Sequence, residues 1–157
     1  MTESLKYSLT ESADETFTSF QKSFEDEIGQ KRRTRSQGSK TKVMWIKEIL
    51  IEYDGQLKTD GHYIAFQITT NEESDMVNIS DKDCFFKFKK ICNLATNGLE
   101  LQDTVWKIPV NKPYIKKDVY FGIKTKTGAV ATLNVEIVFE YKYISDWVLS
   151  RMIARRA

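Results

Sequence analysis

The sequence predicts an all-β protein, an antiparallel β-sandwich preceded by a polar N-terminal arm. Three observations carry this expectation. From Val43 onward apolar residues recur at every second position, the period of a half-buried strand. The alternating segments are joined by short turn signals, with no helical stretch long enough for a parallel crossover. The charge also changes sign abruptly: residues 1–30 hold seven acids against two lysines, whereas residues 31–42 hold six cations and no acid. Such asymmetry marks an interaction arm. A chain of 157 residues, 41% of them hydrophobic, fits one domain with an appendage. The expected boundaries are an arm over 1–42, a sandwich over 43–145 and a short tail over 146–157.

Within the arm, Phe17, Phe20 and Phe24 stand at i, i+3 and i+7, with Ile28 four further on. That spacing predicts a short amphipathic helix, capped by Asp14 or Thr16 and stopped by Gly29. A helix this short is marginal alone, so it is expected to form on docking, with Phe17, Phe20, Phe24 and Ile28 as the assembly contact. The stretch "KRRTRSQGSKTK" follows. Its cations, Lys31, Arg32, Arg33, Arg35, Lys40 and Lys42, are interleaved with Thr, Ser, Gln and Gly. Such a flexible segment can follow a phosphate backbone without reading base sequence, and it also resembles a nuclear-localisation patch.

The strands come next. "KVMWIKEILIEY" and "HYIAFQITT" flank "DGQLKTDG", which holds two Asp-Gly turn signals. "CFFKFKKI" alternates again, and "TVWKIPV" is a short strand whose Pro109 suits an edge. "NLATNGLELQD" reads as a loop or one helical turn. "DVYFGIKTKTG" pairs through a turn near Thr127–Gly128 with "AVATLNVEIVFEYKYI", where Leu133, Val135, Ile137, Phe139, Tyr141 and Tyr143 share one face. Six strands stand out, and weaker segments raise the number to eight. "SDWVLSRMIARRA" closes the chain, with Ser145 or Asp146 as a cap and Trp147, Val148, Met152 and Ile153 as an apolar side.

Catalytic chemistry finds little footing. His62 is the one histidine and lies in a turn. Cys84 and Cys92 are eight apart with no ligand cluster to complete a zinc set, and they fit a reducing compartment better than a disulfide framework. No Gly-rich phosphate loop is present. Glu72–Glu73 and Asp81/Asp83 are loop carboxylates of the kind usually left to solvent. Tyr114 with Lys112, Lys116 and Lys117 offers a second basic surface. No apolar run is long enough to cross a membrane, and the polar N-terminus is no signal peptide. The expectation is a protein that is not an enzyme and uses no metal or cofactor.

The order of these segments resembles the single jelly-roll capsid proteins of small icosahedral viruses, most of all those of circular, Rep-encoding single-stranded DNA viruses. In that resemblance "KVMWIKEILIEYDG" is similar to the family's first domain strand and "HYIAFQITTNEES" to its second. "ISDKDCFFKF" resembles a recurring Ser-Asp-x-Asp segment before the middle strands, and "DVYFGIKTKTGAVATLNVEIVFEYKYIS" the closing hairpin. The arm departs from the family, which usually opens basic rather than acidic. The resemblance implies a jelly roll of about eight strands, self-assembly into an icosahedral shell, and nonspecific packaging of single-stranded DNA through residues 31–42. It also implies a place in the virion, with passage through the host nucleus before assembly. The competing expectation is a β-sandwich module that binds protein or carbohydrate and carries a basic localisation tail.

Overall fold

The computed structural model describes residues 1–34, 38–93 and 105–154. Among the described residues nine strands and one helix follow in order. They are β1 (Glu3–Thr10), β2 (Thr18–Ser23), β3 (Lys31–Thr34), β4 (Gly38–Tyr53), β5 (Tyr63–Thr69), β6 (Cys84–Ile91), β7 (Val105–Tyr114), β8 (Asp118–Lys126), β9 (Thr132–Ser145) and α1 (Asp146–Ala154). The segment "NLATNGLELQD" falls almost wholly outside the described residues, as do Arg35, Arg155 and Arg156.

The strands form two antiparallel sheets. The first runs β1-β9-β4, and beyond β4 lie both β7 and the short β3; the second runs β2-β8-β5-β6. The pairings are nested: β5 with β6, β4 with β7, β2 with β8 and β1 with β9. This is one long antiparallel hairpin, rolled so that β9 also meets β4 and β8 also meets β5. Nested pairing divided between two packed sheets is the jelly-roll topology, so the all-β sandwich stands as expected.

The N-terminal segment is different from the expectation. Residues 1–30 are not an arm. "ESLKYSLT" is the first strand of the roll, in register with β9 from Glu3 opposite Phe139 to Thr10 opposite Thr132. "TSFQKS" is the second, in register with β8. "KVMWIKEILIEY" therefore belongs to the roll's third strand and "HYIAFQIT" to its fourth, and the sandwich begins near residue 3 rather than residue 43. No docking helix forms over 14–28. Phe20 lies within β2, Phe24 and Ile28 are buried in the turns behind it, and Phe17 packs over Gly122. A Cβ on Gly122 would sit 2.6 Å from the Phe17 ring, so this glycine makes the room. The apparent helical period is a coincidence of three local geometries: Phe20, Phe24 and Ile28 join the core, whereas Phe17 lies over Gly122 on the other face of β8.

That core lies between the sheets. Ile46, Ile49, Ile51, Leu133 and Ile137 come from the first sheet and Ile64, Phe66, Ile68, Phe121 and Ile123 from the second, all fully buried. Tyr7 meets Phe121 at a tilt with centroids 4.8 Å apart, and Tyr114 meets Phe24 and Phe85 edge-on at 5.3 and 5.2 Å. β4 keeps both its halves apolar-side-in by a bulge between Ile46 and Glu48. Before it the even residues Met44 and Ile46 face the core; after it the odd residues Ile49, Ile51 and Tyr53 do. On β7 the same irregularity is absorbed by Asn111, in the left-handed region at φ 52°. Both prolines of the chain, Pro109 and Pro113, lie in β7, on the sheet edge where a missing N–H costs no ladder bond.

Candidate nucleic-acid interface

Antiparallel rolling places the turns of the sandwich at two ends. One end gathers the β2–β3 connection, the β3–β4 hairpin, the β5–β6 and β7–β8 connections, and α1. The basic stretch is therefore not a tail, since its residues 31–34 and 38–42 lie on paired strands. It is a hairpin, with Lys31 opposite Thr41, Arg32 opposite Lys40 and Arg33 opposite Ser39. β4 then carries this hairpin onto β9, with Lys40 opposite Ser145 and Lys42 opposite Tyr143.

The six cations part company in this frame. Lys31, Arg32 and Arg33 are exposed and Lys40 is half-buried, while Arg35 lies outside the described residues. Arg32 lays its guanidinium over the Tyr143 ring, 5.6 Å from the centroid. Lys31 stands 3.5 Å from Asp146, whose carboxylate also accepts a hydrogen bond from the Thr41 hydroxyl at 2.7 Å. That hydroxyl, then Ser39 and Lys31, hold the Asp146 carboxyl below the usual aspartate range.

Lys42 is not available to a phosphate. It is buried, with Glu25 at 2.8 Å, Glu27 at 2.7 Å and the Tyr141 ring 4.6 Å away. Hydrogen bonds to Glu25 and Glu27 hold its proton well above the ordinary lysine range, and the Lys42 bond in turn pulls Glu25 down. Burial, with Glu25 beside it, pushes the Tyr141 phenol up to about 12. The backbone repeats the attachment, since Gly29 N–H donates to Lys42 O and Lys42 N–H to Gln30 O. The acidic residues of the supposed arm thus fasten the β2–β3 connection to the base of the hairpin.

The second basic surface does not assemble. Tyr114 is a core residue whose hydroxyl donates to Asp118 O at 2.6 Å. Lys112 turns inward over the Phe85 ring and bonds the Phe85 carbonyl, and Lys117 pairs with Asp26 at 2.7 Å. In the β5–β6 connection, carboxylate oxygens of Glu73, Asp81 and Asp83 lie within 4.8 Å of one another. Asp83 accepts from Asn71 at 2.9 Å and Asp81 from the Asp83 N–H at 2.8 Å, hydrogen bonds that shape the loop itself.

Three residues of this end escaped the sequence reading of the basic stretch. Tyr143 continues the inward alternation of β9, yet it lies beyond the core and is exposed. Trp147 and Arg151 stand one helical turn apart on α1, with the guanidinium 4.7 Å from the Trp147 ring centroid. The signal was the i, i+4 Trp–Arg spacing immediately after a strand ending in Tyr-Lys-Tyr. Elsewhere on the first sheet, a shallow groove of about 370 Å³ is lined by Lys6, Leu50, Glu52, Val105 and Glu136. No helix among the described residues is long and apolar enough to cross a membrane.

No protein-family model matches the chain, and no curated protein matches it. Among solved structures it is similar to a family two carbohydrate esterase from Cellvibrio japonicus, at 9% identity and a TM-score of 0.31, covering 88% of this chain and 35% of that one. It is also similar to a chain of the infectious bursal disease virus Gx strain, at 10% identity and a TM-score of 0.14, covering 98% and 47%. The chain thus spans between a third and a half of these proteins, at scores too low to carry an argument.

Proposed function

We propose that this chain is a structural protein of a small virion, whose copies assemble into a closed shell that holds nucleic acid against the β3–β4 hairpin. Its role is architectural rather than catalytic, and its partners are further copies of itself and a polynucleotide, with single-stranded DNA as the favoured cargo and the host nucleus as a station before assembly. The observation that carries the reading is the pairing of a nested jelly roll with a cationic hairpin at one of its ends. A fold alone does not determine function. The hairpin adds chemistry: Lys31, Arg32, Arg33 and Lys40 are carried on paired strands, with Arg32 directly opposite Lys40, so both faces of the hairpin offer cations to a phosphate backbone. A compact block with turns at both ends and a proline-bearing edge strand suits repeated side-by-side contacts related by symmetry.

The test is electron microscopy of the purified chain with sedimentation analysis, across salt, pH and added single-stranded DNA. Uniform closed particles are expected. A protein that stays monomeric under every condition overturns the reading and favours a monomeric binding module.

A further inference from the structure

We propose that Tyr143 and Trp147 form a base-stacking platform, so that the hairpin end binds single-stranded polynucleotide through its bases as well as its phosphates. The inference rests on the nucleic-acid part of the function proposed above and names the strandedness of the ligand and the residues that read it. Tyr143 is 44% exposed and Trp147 69% exposed, four residues apart across the junction from β9 to α1. Isolated exposed aromatics are ordinary. Here each ring has a guanidinium over it, Arg32 at 5.6 Å and Arg151 at 4.7 Å. Such a pair fixes the ring's orientation and places a phosphate-binding fork beside a π-surface.

Arg32 and Arg151 lie over the two rings, Lys40 stands opposite Arg32 and Ser145, and the nearby carboxylates are engaged: Asp146 by Lys31 and Thr41, Glu25 and Glu27 by Lys42. Aromatic rings among cations suit bases whose faces are free. In a duplex those faces are already stacked, so a duplex gains from the cations alone. The ligand class is therefore a single strand, DNA or RNA, bound without a base code.

The experiment measures binding of the full chain to oligo(dT), oligo(rU), a DNA duplex of equal length and inorganic polyphosphate. The expected result is tighter binding of the single strands than of the duplex, with tryptophan quenching that the Trp147→Phe variant weakens. Tyr143→Ala and Trp147→Ala should each weaken oligo(dT) binding about tenfold and leave polyphosphate binding unchanged. Tyr143→Phe should keep wild-type affinity, whereas Tyr143→Leu, which keeps apolar area but not the ring, should not. If the aromatic variants bind oligo(dT) as wild type does while a Lys31/Arg32/Arg33/Lys40 charge variant loses it, the stacking platform is wrong and the cationic hairpin stands. If no polynucleotide binds even at low salt, the nucleic-acid reading itself falls and the platform with it.

Discussion

The Lys42 ammonium lies 2.8 Å from the Glu25 carboxylate, and this one contact ties the acidic and basic blocks of the sequence into a single structural unit. Lys42→Met should lower stability by about 1–2 kcal/mol, less than a fully buried pair because Glu25 and Glu27 remain partly in solvent. Polynucleotide affinity should be unchanged. Denaturant melts alongside binding titrations check this, and a loss of affinity with intact stability would return Lys42 to the phosphate-contacting set.

The pH dependence has opposite signs at two carboxyls. Glu25 has a lowered folded-state pKa, mainly from the Lys42 hydrogen bond, so its contribution is present above the unfolded glutamate pKa and is lost as pH falls through the folded one. Glu11, 2% exposed, is raised by burial, which outweighs the bonds from Thr125 and Ala131. Its proton is held more tightly in the folded state, so acidification favours folding at this site. Glu25→Gln should flatten the acid limb of the stability curve, whereas Glu11→Gln should steepen it. Urea midpoints between pH 3 and 7 would separate the two.

Glu11 is also a structural anchor. Its Oε1 accepts from Thr125 Oγ1 at 2.6 Å and Ala131 N at 3.0 Å, joining the end of β1 to both sides of the β8–β9 turn. Asp14 adds a second clasp, accepting from the Thr127 and Gly128 N–H groups. Glu11→Ala leaves buried donors without their acceptor and should cost about 3 kcal/mol, against about 1 kcal/mol for Glu11→Gln. Thermal unfolding at pH 7 measures the difference.

Gly122 and Phe17 should be energetically coupled. Gly122→Ala alone forces the ring away and should cost about 1–2 kcal/mol. In a Phe17→Leu background the penalty should shrink, giving a coupling of about 1 kcal/mol in a double-mutant cycle. Additive penalties would mean that the glycine serves the backbone instead.

Removal of residues 1–12 is expected to abolish cooperative unfolding, because β1 closes the first sheet and Leu9 is fully buried. A true arm could be trimmed without loss. Circular dichroism melts decide between these outcomes.

The sandwich was legible because the β8–β9 hairpin alternates without interruption, from Val119, Phe121 and Ile123 to Leu133, Val135, Ile137 and Phe139. β1 alternates too, with Leu5, Tyr7 and Leu9, but only Leu9 is fully buried and the polar residues around it read as a tail. β2 was hidden because Phe17, Phe20 and Phe24 satisfy a helical spacing, while strand pairing leaves no mark of its own in so short a polar segment. What a partner strand contributes cannot be seen in the strand itself. The same limit hid the interface: the cations of 31–42 were visible, but their sorting into exposed and buried followed from where Glu25 and Glu27 return after β2.

The nested order of strand pairing has a consequence for how the chain is made. β5 and β6 can meet as soon as both have been synthesised, but β1, the first of these nine strands to be made, has no partner until β9, the last of them, has followed it. Each inner pair shortens the gap the next must close, so folding should run outward from the β5–β6 hairpin rather than forward from the N-terminus. The sheet edges stay open until β9 has been made, and high local concentrations of nascent chains carry a risk of mispairing over that whole interval.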